Sequence, residues 1–220
     1  MSNVLVIAPH PDDETLGCGG TILKHRNAKD KVFWCIVTFG NKEMGHDQSH
    51  FTNWESIVSH VKKELGINKL FNLGLPTGDL DQVPLRSIIG SFHDVIQEVK
   101  PEIIYVNFSN DVHSDHKIVF QALTSASKNF HFPFIKKILM YETPSETDYS
   151  YENKVFSPNY FVDITKHMDK KLEIFSLYKS EIMEDNFPRS TKYIKALAQI
   201  RGGRIGVQFA EAFEVVLTIK

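Results

Sequence analysis

Residues 4–20 read VLVIAPHPDDETLGCGG, and the order of residue types in that stretch decides the fold. Positions 4–8 form a continuous apolar run without polar alternation, the pattern of a strand covered on both faces in a parallel sheet. The run stops at His10 and Pro11; Asp12, Asp13 and Glu14 follow, and then Gly17, Gly19 and Gly20. Three adjacent acids repel one another, and the end of a buried strand is a poor place for them unless a cation is held there.

Outward from this stretch, short apolar runs alternate with helical patterns, which predicts parallel βαβ units. A helix is expected over residues 15–26 and a second central strand over 32–39 (VFWCIVTF). Residues 40–52 are polar and read as a loop, a candidate lid that contains His46, Asp47 and His50. A helix over 53–65 is closed by Gly66, and a strand over 70–75 runs into GLPTGDLDQ. An amphipathic helix over 85–99 stops before Pro101; a strand over 103–108 (IIYVNF) enters SNDVHSDH. A helix over 117–127 and a strand over 137–142 come next, and residues 144–158 read as a surface excursion. Helices are expected over 166–178 and 190–200, with a closing strand over 213–219. No linker or composition shift divides the chain, so a single domain over 1–220 is expected. The predicted architecture is α/β, a Rossmann-like three-layer fold around a mostly parallel sheet.

Composition narrows the function classes. The 220 residues are 42% hydrophobic and 24% charged, and 25 Lys and Arg against 27 Asp and Glu leave a net charge of −2. No basic field advertises a nucleic acid. No apolar run is long enough to span a bilayer. Cys18 and Cys35 are too few for a disulfide framework and read as buried thiols. The start lacks a signal-peptide pattern, so a cytoplasmic protein is expected.

In an open α/β sheet, ligands bind beyond the carboxyl ends of the strands, where strand order reverses. If the strands preceding His10-Pro11-Asp12-Asp13 and His113-x-x-His116 are neighbours, both motifs meet in one crevice. Imidazole and carboxylate are zinc ligands, and a catalytic zinc takes three from the protein and keeps one position for water. His10, Asp13 and His116 are the candidate ligands. Asp12 is the candidate general base, and Asp115 can keep His113 oriented and protonated. Iron suits the same donors. The plainer alternatives are that Asp12 or Asp13 caps the following helix and that the glycines serve close packing rather than a phosphate cradle. Glu14 is read as favouring the helix N-terminus. Asp79 and Asp81 are candidate sugar contacts, while Arg201 and Arg204 are candidate anchors for an anionic part of a substrate.

APHPDDETLGCGGTI, followed about a hundred residues later by HSDH, resembles the PIG-L/LmbE-type metal-dependent deacetylases. LGLPTGDL, PNYFVDIT, PRS and GVQFAEAF resemble further segments of that family, so the likeness covers nearly the whole chain. The resemblance implies hydrolysis of an N-acyl group, most often from an N-acetylglucosamine unit of a glycoconjugate. It implies zinc on His10, Asp13 and His116, with Asp12 as base, His113 facing the oxyanion and Asp115 tuning His113. A homo-oligomer is in keeping with the family. One departure is visible in NWESIVSHVKKELG, where Trp54 and Ile57 stand at positions at which the family carries an Arg and an acid. Two other classes remain open from the residues: a metal-dependent hydrolase of another amide or ester, and a non-catalytic sugar-binding module.

Overall fold

The computed structural model describes residues 1–39, 48–150 and 154–220. The elements in chain order are β1 (Asn3–Ala8), α1 (Asp13–Asn27), β2 (Lys31–Thr38), α2 (Gln48–Leu65), β3 (Lys69–Leu75), α3 (Leu85–Val99) and β4 (Ile103–Asn107). Then come α4 (Ser114–Ala126), β5 (Lys137–Tyr141), β6 (Tyr160–Asp163), α5 (Met168–Phe175), α6 (Thr191–Gly203) and β7 (Ala210–Thr218). The strands form one sheet in the order β3-β2-β1-β4-β5-β7-β6. Pairing is parallel from β3 through β5, and β7 runs antiparallel between β5 and β6.

Helices cover both faces, which makes three layers. On β1, Val4, Val6 and Ala8 turn toward one core with residues of α1, α2, α5 and α6. Leu5 and Ile7 turn toward the other core, with residues of α3 and α4. All five side chains are fully buried, so the unbroken apolar run is the consequence of having two covered faces.

The chain moves outward from β1 to β2 and β3, then returns to place β4 against β1 on the other side. Val4 pairs with Ile103 and Val6 with Tyr105. The reversal therefore lies between β1 and β4, and the carboxyl ends of these two strands lie side by side, where a ligand site is expected.

Helix α1 carries the glycines for steric reasons. A Cβ on Gly17 would lie 2.1 Å from the Tyr141 ring, and one on Gly20 would lie 2.8 Å from Ile164. The helix is also broken at Cys18, whose φ and ψ are −146° and 22°. Lys171 Nζ donates to the freed Leu16 carbonyl at 2.8 Å, and the Glu211 carboxylate accepts from the amides of Gly20 and Thr21 at 2.9 and 2.7 Å. Lys171 and Glu211 are themselves paired at 2.6 Å in the interior. Cys18 and Cys35 are buried free thiols.

Several expectations need correction. α2 begins at Gln48, not residue 53, and residues 40–47 of the expected lid, with His46 and Asp47, lie outside the described residues. Strand β6 was not expected. The start of the expected surface excursion, residues 144–147, is not at the surface: Pro144 is buried, and Thr147 reaches the candidate site. His25 has its ring between Asp30 Oδ2 at 2.8 Å and the Tyr105 hydroxyl at 2.9 Å.

Candidate metal centre

Two residues beyond β1, His10 turns its ring toward the start of α4. Its Nδ1 lies 3.3 Å from His116 Nε2 and 3.5 Å from Asp13 Oδ2, and the last two atoms are 3.3 Å apart. For ligand bonds of ~2.0–2.1 Å, the edges of a tetrahedron are about 3.3–3.4 Å. The three atoms thus have the spacing of one face of a tetrahedral cation site.

Hydrogen bonds fix which ring nitrogen is free. His10 Nε2 faces Asp115 Oδ2 at 3.0 Å, and His116 Nδ1 faces Asp111 Oδ2 at 2.8 Å. Each carboxylate accepts a hydrogen bond from the distal N–H and so leaves the lone pair of the nearer nitrogen for a cation. Asp111 is held in turn by the Thr147 hydroxyl at 2.6 Å. The Asp115 carboxylate accepts from the amides of Gly78 and Leu80 at 2.7 and 3.4 Å. Asp13 Oδ2 accepts the His10 amide at 2.9 Å, which closes the tight turn across Pro11.

The electrostatics agree. Burial works to raise the Asp13 carboxyl, but the His116 and His10 imidazoles outweigh it and hold the group well below the usual carboxylate range. Burial opposes charge on His116, yet Asp13 and Asp111 raise it well above the ordinary histidine value. His10 is raised against its own burial by Asp115 and Asp13.

Asp12 occupies the N-cap position of α1 but makes no side-chain cap, so simple helix capping does not account for it. Its φ is +119°, a conformation unfavourable for any residue with a Cβ. The amide of Asp12 donates to Glu14 Oε2 at 3.1 Å, and its carbonyl accepts from Thr15 and Leu16, both at 2.9 Å. Burial, and then the charge of Asp13, push the Asp12 carboxyl well above its ordinary value. Glu14 is fully buried and accepts from the Thr15 and Tyr178 hydroxyls at 2.5 and 3.0 Å. It therefore fixes the turn bearing Asp12 and is not an exposed helix-end charge. Burial moves its pKa to about 7.

His113 caps α4 by accepting the Asp115 amide on Nδ1 at 3.1 Å, which leaves its proton on Nε2. Burial, then the charges of His10 and His116, lower its pKa to about 4. His113 is thus held toward its neutral form, with the charge of Asp115 acting in the opposite direction while its carboxylate bonds to His10. His113 and His10 meet edge to face, with ring centroids 4.6 Å apart.

The proposed substrate contacts do not join this group. Arg201 donates from Nε and Nη2 to the two Glu142 oxygens at 2.8 and 2.6 Å. The fork expected to take an anionic substrate is therefore engaged within the chain. Arg204 is exposed beyond α6, and Asp79 is exposed in the turn whose backbone amides serve Asp115. Three residues assigned no site role from the sequence stand beside this group: Asp111, Thr147 and Arg189, the last within the PRS segment and with its Nη1 3.4 Å from Asp12 Oδ2. A second group, His10, His113 and Asp115, also has ligand atoms close together, but it shares His10 with the first.

The chain matches the family model described as PIG-L, GlcNAc-PI de-N-acetylase, over residues 5–127. Diacetylchitobiose deacetylase of Thermococcus kodakarensis is 27% identical over 98% of this chain and 84% of its own length. "Probable N-acetyl-alpha-D-glucosaminyl L-malate deacetylase 2" of Bacillus subtilis is 30% identical over 56% of this chain and 60% of its own. The conserved protein TT1542 of Thermus thermophilus superposes with a TM-score of 0.79 at 25% identity, covering 100% of this chain and 97% of that one. N,N'-diacetylchitobiose deacetylase of Pyrococcus horikoshii has the same fold, with a TM-score of 0.75 at 23% identity over 97% of this chain and 83% of that one.

Proposed function

The chain belongs to the PIG-L family, and from that premise we propose that it is a zinc-dependent hydrolase that removes the N-acetyl group from an N-acetylglucosamine-type sugar or glycoconjugate. One observation carries the metal reading. The nearer nitrogens of His10 and His116 converge with Asp13 at tetrahedral spacing while Asp115 and Asp111 face their distal nitrogens. The names of the relatives, deacetylases of N-acetylated sugars, support the substrate class.

When bound, a divalent cation lowers the pKa of a water and polarises the acyl carbonyl. The rest of the chemistry falls to this chain. Asp12 takes a proton from the attacking water as its oxygen bonds to the acetyl carbon. The neutral His113 presents Nε2–H to the oxyanion, the kind of contact that usually dominates acyl transfer. Asp12 then returns its proton to the sugar nitrogen, the C–N bond breaks, and acetate and the free amine leave. With a pKa of about 4, His113 contributes a hydrogen bond and Asp12 carries the proton. Iron fits the same donors, and zinc is preferred for the tetrahedral spacing. The cytoplasm, where Cys18 and Cys35 stay reduced, is the proposed compartment.

The test is acetate release from N-acetylglucosamine, N,N'-diacetylchitobiose and other N-acetylglucosaminides, using metal-free protein titrated with zinc. Release that saturates near one zinc per chain is expected. Stoichiometric zinc uptake without acetate from any substrate would refute the deacetylase reading and keep the metal site.

A further inference from the structure

Asp12 is held from a part of the chain outside both histidine motifs. Arg189 Nη1 lies 2.7 Å from Glu181 Oε2 and 3.4 Å from Asp12 Oδ2, so one guanidinium bridges two carboxylates. Arg189 sits between α5 and α6, next to Ser190. The Ser190 hydroxyl accepts the Tyr193 amide at 3.1 Å and caps α6. The Arg189 carbonyl accepts from the Met183 amide at 3.4 Å, and the Ser190 amide donates to Phe187 at 3.0 Å. The segment is thus tied to itself and to a helix end, and the guanidinium is not on a free tether.

Two features separate this contact from an ordinary surface ion pair. Arg189 Nε is buried with no hydrogen-bond partner among the described residues. Inserting it there is unfavourable, and a solvated salt bridge would not require it. The other feature is the residue it meets. The Asp12 backbone is strained at φ +119° and is held by the Glu14 carboxylate. Glu14 fixes the main chain of Asp12, and Arg189 reaches its side chain.

We propose that Arg189, steadied by Glu181, is a positioning residue for the hydrolytic reaction. By engaging Oδ2, it fixes the rotamer of the Asp12 carboxylate and leaves Oδ1 as the oxygen that meets the attacking water. Arginine suits the task because its planar fork can serve two carboxylates while staying charged. The inference rests on the reading of Asp12 as general base.

The experiment compares zinc-loaded wild type with Arg189→Met, Arg189→Lys and Glu181→Gln, measuring acetate release from N,N'-diacetylchitobiose and N-acetylglucosamine. Arg189→Met is expected to lose about tenfold to a hundredfold in kcat, with KM and zinc content unchanged. Glu181→Gln should lose less, in the same direction, and covers the case in which Arg189→Met folds poorly. Arg189→Lys, or methylguanidinium added to Arg189→Met, should restore part of kcat, which a purely structural role would not produce. Unchanged kcat in both Arg189→Met and Glu181→Gln overturns the proposal, as does a rise in KM alone, which would make Arg189 a substrate contact. If the wild type releases no acetate, the functional reading fails by itself. The crystal structure of zinc-loaded Arg189→Met then decides: a displaced Asp12 carboxylate sustains the positioning role, and an unmoved one overturns it.

Discussion

His116 Nδ1 lies 2.8 Å from Asp111 Oδ2, a contact buried on both sides. That bond leaves the lone pair of His116 Nε2 facing Asp13 and His10. An Asn at position 111 can present its amide to the ring and reverse the tautomer, which would leave no lone pair on Nε2. Asp111→Asn is therefore expected to weaken zinc binding by about tenfold to a hundredfold, with the sheet intact by circular dichroism. Competition against a chromogenic chelator measures it. An affinity equal to wild type would detach Asp111 from the metal centre.

Metal affinity should depend on pH with a definite sign. The ordinary histidine value is 6.5, and the surrounding acids raise His10 above it and His116 well above it. Zinc must displace those protons, so they compete more strongly as pH falls. Affinity should drop between pH 8 and pH 6, with protons released on binding throughout that window and in greater number as pH falls. Titration calorimetry in two buffers of different ionisation enthalpy reads the proton count. A flat profile with no proton release would contradict the arrangement.

Asp12 and Asp13 are neighbours with opposite electrostatics: Asp13 is held ionised and Asp12 is pushed toward its neutral form. Asp12→Ala should bind zinc with wild-type stoichiometry while turnover falls by on the order of 10²–10⁴. Asp13→Ala should lose the metal itself. If Asp12→Ala emerges without zinc, the division of labour between the two acids is wrong.

The sequence made the candidate ligand set legible because residue type and strand ends constrain each other. An unbroken apolar run predicts β1, and a βαβ reading puts the ends of β1 and β4 together; the sheet order does place them side by side. Chain neighbourhood misled where space decides. Asp115 is two residues from His113, yet its carboxylate bonds to His10. Arg189 was hidden by a separation of 177 residues from Asp12. Asp111 looks like any turn acid until the start of α4 folds His116 back on it. Strand β6 has four residues, YFVD, none of them fully buried, and so short an apolar run does not distinguish a strand from a loop.

The Lys171–Glu211 pair allows a test of the fold that is independent of chemistry. Elsewhere, replacing both members of a buried ion pair by apolar residues is often neutral, whereas removing one partner costs about 3–5 kcal/mol. Here the two side chains also serve the break in α1 at Cys18: Lys171 binds the Leu16 carbonyl, and Glu211 binds the Gly20 and Thr21 amides. A double apolar replacement removes the charges but leaves those backbone groups buried and unmade, at about 1–3 kcal/mol for each. Lys171→Met should destabilise strongly, and Lys171→Met combined with Glu211→Met should recover little of the loss. Urea denaturation of the two variants beside wild type measures this, and a double variant restored to wild-type stability would reduce the pair to an ordinary ion pair without a capping role.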